Sequence, residues 1–86
     1  MDDAQIRTEI EELEDEERRL RGEEALAADA ARGDVLERDR LRLGEIKSRL
    51  AQLWDLLRQR EALRSAGGDP DDASMRDAST IDGYLG

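Results

Sequence analysis

Leu43, Ile46, Leu50, Leu53 and Leu57 follow one another in alternating steps of three and four residues. That is the a/d spacing of a helix that packs along its length against other helices. A strand would need side chains of one face at every second residue, so this seam demands a long helix and a helical partner. Ile6, Ile10, Leu13, Leu20 and Ala27 repeat the spacing upstream, with Glu17 and Glu24 at the two intervening seam positions. The spacing predicts an all-α fold: an antiparallel two-helix hairpin of coiled-coil type, pairing into a four-helix bundle, with a mostly irregular C-terminal tail.

The punctuation of the chain sets the hairpin's limits. Asp2 or Asp3 can cap a first helix over residues 3–31, whose acidic first half suits the positive end of the helix dipole. Arg32-Gly33-Asp34 breaks it, with Gly33 suited to the left-handed C′ position and Asp34 placed three residues before Glu37 in capping-box spacing. A second helix over residues 35–66 follows this turn at 32–34 and ends in Arg58, Arg60 and Arg64, before Gly67-Gly68-Asp69-Pro70 stops it. So short a connection makes the two helices antiparallel neighbours. Folding about Gly33 places Ile10 near Leu57, Leu13 near Leu53 and Leu20 near Ile46, and it brings Glu17 to Arg49 and Glu24 to Arg42. The hairpin thus occupies residues 1–66, and an acidic tail occupies 67–86.

Charge is unevenly spread. Residues 1–17 hold nine acids and one base, residues 34–66 hold eight bases and six acids, and the whole chain carries -9. An acidic chain repels phosphate backbones and anionic headgroups, so neither nucleic acid nor membrane is an expected partner. There is no apolar run of the length that spans a bilayer and no basic opening of a secretory signal, which makes the expected location cytoplasmic. The chain has no Cys and no His. That removes thiolate metal sites, Cys nucleophiles and the commonest general base and metal ligand. The reading is therefore no enzyme, no catalytic or metal-binding residues, and no cofactor.

The apolar surface is wider than one partner helix can cover. Leu41, Trp54, Leu56 and Leu63 lie off the main seam of the second helix. Covering them calls for a second hairpin, giving a homodimer, or for another protein. Trp54 is assigned to core or dimer packing. In the tail, Asp69-Pro70 can start one helical turn through about Met75, while Ile81, Tyr84 and Leu85 are spaced to dock on apolar surface, with Trp54 or Leu63 as contacts. The candidate interaction residues are Trp54, Leu56, Leu63, Arg58, Arg60, Tyr84 and Leu85.

The run Leu53-Trp54-Asp55-Leu56-Leu57-Arg58-Gln59-Arg60, with Ala66-Gly67-Gly68-Asp69-Pro70 and the ending Gly83-Tyr84-Leu85, resembles an uncharacterised family of short actinobacterial proteins, domain-of-unknown-function family 2630. Met1-Asp2-Asp3 and Glu17-Arg18-Arg19-Leu20-Arg21 look similar as well. The resemblance implies no activity and no binding residue. A more distant likeness is to helical-hairpin anti-sigma factors that bind cyclic di-GMP through a Glu, Ser, Arg, Gln, Asp series on one helix face. Glu45, Arg49 and Gln52 keep the spacing of its first three positions, with Glu45 alone matching in type, while Leu56 and Arg60 stand where Gln and Asp belong.

The expected function is that of a non-enzymatic helical hairpin acting through protein–protein contacts and self-association. The alternative is a small regulator, anti-sigma-like or nucleotide-binding, that uses Arg42, Arg49, Arg58 and Arg60 of the second helix. A small-molecule ligand is not the expected partner.

Overall fold

The computed structural model describes residues 1–29 and 33–85, including their side chains other than those of Ala27, Asp29 and residues 82–85. Two long helices dominate it: α1 (Asp3–Asp29) and α2 (Gly33–Ser65). A short 3-10 turn at Pro70–Asp72 and a last helix, α3 (Ala78–Leu85), follow in the tail. No strand occurs among the described residues. No helix among them is long and apolar enough to cross a membrane.

Local chemistry accounts for the helix ends. The Asp2 side chain accepts from the Gln5 amide at 2.8 Å, and Gln5 Oε1 accepts from the Asp2 amide at 2.8 Å. This reciprocal pair occupies two amides that the first turn of α1 would otherwise leave without partners. At the far end of α2, Gly68 N donates to Leu63 O at 2.8 Å and Gly67 N donates to Arg64 O at 3.2 Å. Gly67 takes the left-handed φ of 80° which that closing motif needs and which a side chain would oppose. Asp69 then caps the 3-10 turn by accepting from the Asp71 amide at 2.9 Å. Asp77 caps α3 by accepting from the Thr80 amide at 2.8 Å.

The expected hairpin is present, but its turn and its pairing differ from the sequence reading. Gly33 is the first residue of α2, without a left-handed φ, so it is not the C′ residue of α1. Asp34 stands inside the first turn of α2 rather than at its cap, where its charge favours the positive helix end. Arg32 of the predicted turn lies outside the described residues. With α2 already under way at Gly33, the partners of Arg42 and Arg49 slide by eight residues, about two helical turns. Arg42 therefore meets Glu16 at 2.6 Å rather than Glu24, and Arg49 meets Glu9 at 2.9 Å rather than Glu17. Glu17 instead pairs along its own helix with Arg21 at 3.6 Å. Arg60 reaches Asp3 at 2.5 Å. As α2 residues rise in number their α1 partners fall, which is the antiparallel arrangement.

The core sits toward the end of the hairpin away from the turn. Ile6, Ile10, Leu53, Leu56 and Leu57 form one buried cluster, with Leu13, Leu50, Ala73 and Met75 packed against it. Nearer the turn the buried seam thins to Leu20, Ile46 and Asp39. Trp54 is 45% exposed and is no part of this core, so of the core or dimer packing assigned to it the core alternative is removed. Its place on α2 explains this: Leu53 and Leu57 face α1, and Trp54 is rotated about 100° past Leu53.

Candidate functional site

The Trp54–Arg60 run is where the elements converge, and it divides by helix face. Asp55, Leu56, Gln59 and Arg60 turn toward the tail, while Trp54 and Arg58 turn outward. Gln59 Nε2 donates to the Ser74 carbonyl at 2.8 Å and to Asp55 Oδ2 at 2.8 Å. Two turns earlier, Gln52 Nε2 donates to the Arg76 carbonyl at 3.1 Å. Arg76 Nε lies 3.7 Å from Asp55 Oδ2, and Arg49 Nη1 lies 2.9 Å from Met75 Sδ. Gln52, Asp55 and Gln59 thus grip an irregular stretch of backbone that would otherwise need water.

Arg60 is the anchor at the open end. It is 7% exposed, and its guanidinium donates to Asp3 at 2.5 Å, to Asp71 at 2.9 Å and to the Pro70 carbonyl at 3.2 Å. One side chain thereby ties the start of α1, the last turns of α2 and the 3-10 turn together. The Arg60 hydrogen bond, against the opposing cost of burial, and a second bond from Arg64 hold the Asp3 carboxyl below its usual range. The bonds from Asp3 and Asp71 in turn push Arg60 upward. Beside it lies a cleft of about 500 Å³ lined by Met1, Asp2, Leu56, Arg60, Asp71, Ala73 and Met75.

Most bases proposed as an anion grip already have carboxylate partners. Arg42 bonds Glu16 and Glu45, which raise its pKa, Arg49 holds Glu9 in a forked pair, and Arg60 holds Asp3 and Asp71. Arg58 is exposed beside a depression shared with Asp55, Gln59, Ala62 and Arg76. The four bases do not converge on one point. Among the described residues, no three acids come together in a way that would hold a metal ion.

The remaining candidate residues fall on two sides of α2. Leu56 is buried beside Ala73 and Met75 of the tail. Leu63 is half-buried, and the Gly68 backbone packs close against it. Ile81, one turn before Tyr84, is 5% exposed. The side chains of Tyr84 and Leu85 lie outside the described residues. On the opposite flank, Trp54 continues a row of half-buried leucines, Leu36, Leu43 and Leu50. These four positions fall within about 40° of one another around the α2 axis. Arg40, Lys47 and Arg58 border that row, all exposed.

Sequence reasoning missed two residues of consequence. Gln52 belongs to the tail clamp, and Asp39 is 1% exposed with its Oδ2 lacking any hydrogen-bond partner. The signal for Asp39 was present, since it lies one heptad before Ile46 on the seam.

A family model described as a protein of unknown function, DUF2630, matches residues 2–86. An uncharacterised protein of Mycobacterium bovis is 46% identical over 65 residues, covering 74% of this chain and 75% of its own. An uncharacterised protein of Mycobacterium tuberculosis matches with the same identity and coverage. No solved structure matches. With the model spanning nearly the whole chain and the Trp54 run lying where the hairpin and its tail are joined, the chain belongs to the DUF2630 family.

Proposed function

We propose that this protein is a non-enzymatic helical hairpin that works through protein–protein contact, first of all with a second copy of itself. The observation that carries this is the open flank of α2. There Trp54, 45% exposed, extends the half-buried row Leu36, Leu43 and Leu50, on the side that the tail leaves uncovered. A large aromatic next to an apolar row, ringed by charged side chains, has the composition of an interaction surface. A second copy supplies the complementary charge, because the α1 half of each hairpin is acidic and the α2 half is rich in bases. The absence of His and Cys, and the engagement of Arg42, Arg49 and Arg60 with carboxylates, favour this reading over nucleotide binding or catalysis.

Light scattering on the intact chain tests it. The expected mass is twice the 9.7 kDa of one chain, and Trp54→Glu should return it to one chain's mass with helicity unchanged. As the chain holds a single Trp, dilution should also shift its emission toward that of a solvated indole. A single-chain mass at every concentration, with emission that never moves, would remove the proposal.

A further inference from the structure

We infer that the two copies pair with their α2 helices side by side and pointing the same way, so that both hairpin turns lie at one end of the dimer. The inference rests on the self-association proposed above and adds its geometry. The open flank has polarity across its width. Leu36, Leu43, Leu50 and Trp54 run down its middle, and Arg40, Lys47 and Arg58 border them on the side away from α1. On the α1 side the same flank carries Glu14, Glu17 and Glu24, all half-buried, with Arg21 of that row tied to Glu17. One depression lined by Arg21, Glu24, Ala25, Ala28, Leu36 and Arg40 shows that these two rows share a face.

Two symmetric ways exist to lay this face on itself. A two-fold axis across the helices makes the pairing antiparallel and sets base row against base row and acidic α1 against acidic α1. A two-fold axis along the helices sets the base row of each copy over the acidic row of the other. It also stacks each leucine on its own counterpart, as in the a layers of a parallel coiled coil. Like-charge juxtaposition opposes the first arrangement and favours the second. Since α1 ends at Asp29 and α2 begins at Gly33, Lys47 stands level with Glu14 and Asp15 along the hairpin. Lys47 therefore faces Glu14 of the partner subunit.

A nitroxide on Cys introduced at exposed Ser65, the last residue of α2, distinguishes the arrangements by dipolar spectroscopy. The parallel pairing places the two labels about 15–30 Å apart, given neighbouring helix axes and two label arms. The antiparallel one separates them by more than about 45 Å, because α2 rises 1.5 Å per residue. In parallel, Lys47→Glu should weaken dimerisation about ten-fold by facing two acids. Adding Glu14→Lys to it should restore the affinity. A short distance with rescue supports the arrangement. A long distance, or a dimer that Glu14→Lys weakens further, overturns it while leaving self-association in place. A single-chain mass, with no dipolar signal, removes both readings together.

Discussion

Asp39 offers a sharp test of the packing, because its replacement by a larger apolar residue should strengthen the fold. It lies on the seam of α2, 1% exposed, with Oδ2 unpartnered and Oδ1 only 3.4 Å from the exposed Arg38 guanidinium. A buried acceptor without a partner costs about 1–3 kcal/mol. A leucine there would remove that cost and add about 1.5–3 kcal/mol of side-chain burial. Its extra volume opposes the gain by about 1–3 kcal/mol where neighbours cannot shift. The balance for Asp39→Leu is a net stabilisation of about 2 kcal/mol, or about 8–16 °C in Tm for a chain of this size. The exposed Glu37→Leu, two residues away and on the outer side of the helix, is the control and should stay within about 0.5 kcal/mol. Urea and thermal melts at one fixed protein concentration read both, since the proposed dimerisation would make the midpoint depend on concentration. A lower midpoint for Asp39→Leu at an unchanged urea slope would show that the carboxylate contributes to the fold through a partner, and the reasoning would fail.

Two further outcomes follow from the same structure. Leu53, fully buried in the main cluster, should lose about 2–5 kcal/mol on substitution by Ala, and a loss below about 0.5 kcal/mol in urea melts would mean the core is elsewhere. Asp3, Glu16 and Asp77 are each held below their usual pKa, by bonds from Arg60, from Arg42 and from the Thr80 amide respectively. Depressed carboxyls stabilise the folded state fully above their ordinary values of 3.8 to 4.5, and that stability is lost as pH falls through the folded pKa values. Melts between pH 7 and pH 2 should therefore show stability declining below about pH 4.5, and a flat profile would contradict the ion pairs.

The hairpin was legible because its two determinants are local and redundant: a seam spacing that only a helix satisfies, and a break too short for anything but an antiparallel return. The pairing between the helices was less so. Gly33 suits the left-handed end of one helix and also tolerates the start of the next, and nothing in Arg32-Gly33-Asp34 separates the two. The α1 partners of Arg42 and Arg49 lie eight residues, about two turns, from those that a turn centred on Gly33 implies. The core alternative for Trp54 fails because the helix seam constrains the faces of Leu53 and Leu57, whereas Trp54 lies between them in sequence and off their face in space. The tail was hardest to read. Its grip on α2 uses backbone carbonyls of Ser74 and Arg76, which leave no mark in side-chain chemistry.

What the sequence does hold is the other half of that grip. Gln52, Asp55 and Gln59 recur at three and four residues along α2, a polar row beside the buried seam in a helix whose other polar residues are mostly charged. Uncharged amides are suited to this place: each donates to a carbonyl without bringing a full charge under the tail. Asp55 is the exception, and it is matched by Gln59 on its own helix and Arg76 in the tail. The clamp and the apolar core beneath it lie at one end of the hairpin, whereas the end near the turn buries Asp39 with its Oδ2 unpartnered and exposes Leu26 and Leu41. Stability is thus concentrated where α1, α2 and the tail meet. On the proposal that a second copy covers the Leu36 to Trp54 row, it adds contacts where the single chain has fewest, and association would then be coupled to folding of the turn-proximal half. That coupling predicts amide exchange slowed by the proposed dimerisation most between Leu36 and Leu50 and least at Leu56 and Leu57, past the Trp54 contact. Uniform slowing along α2 would show that the two halves open as one unit.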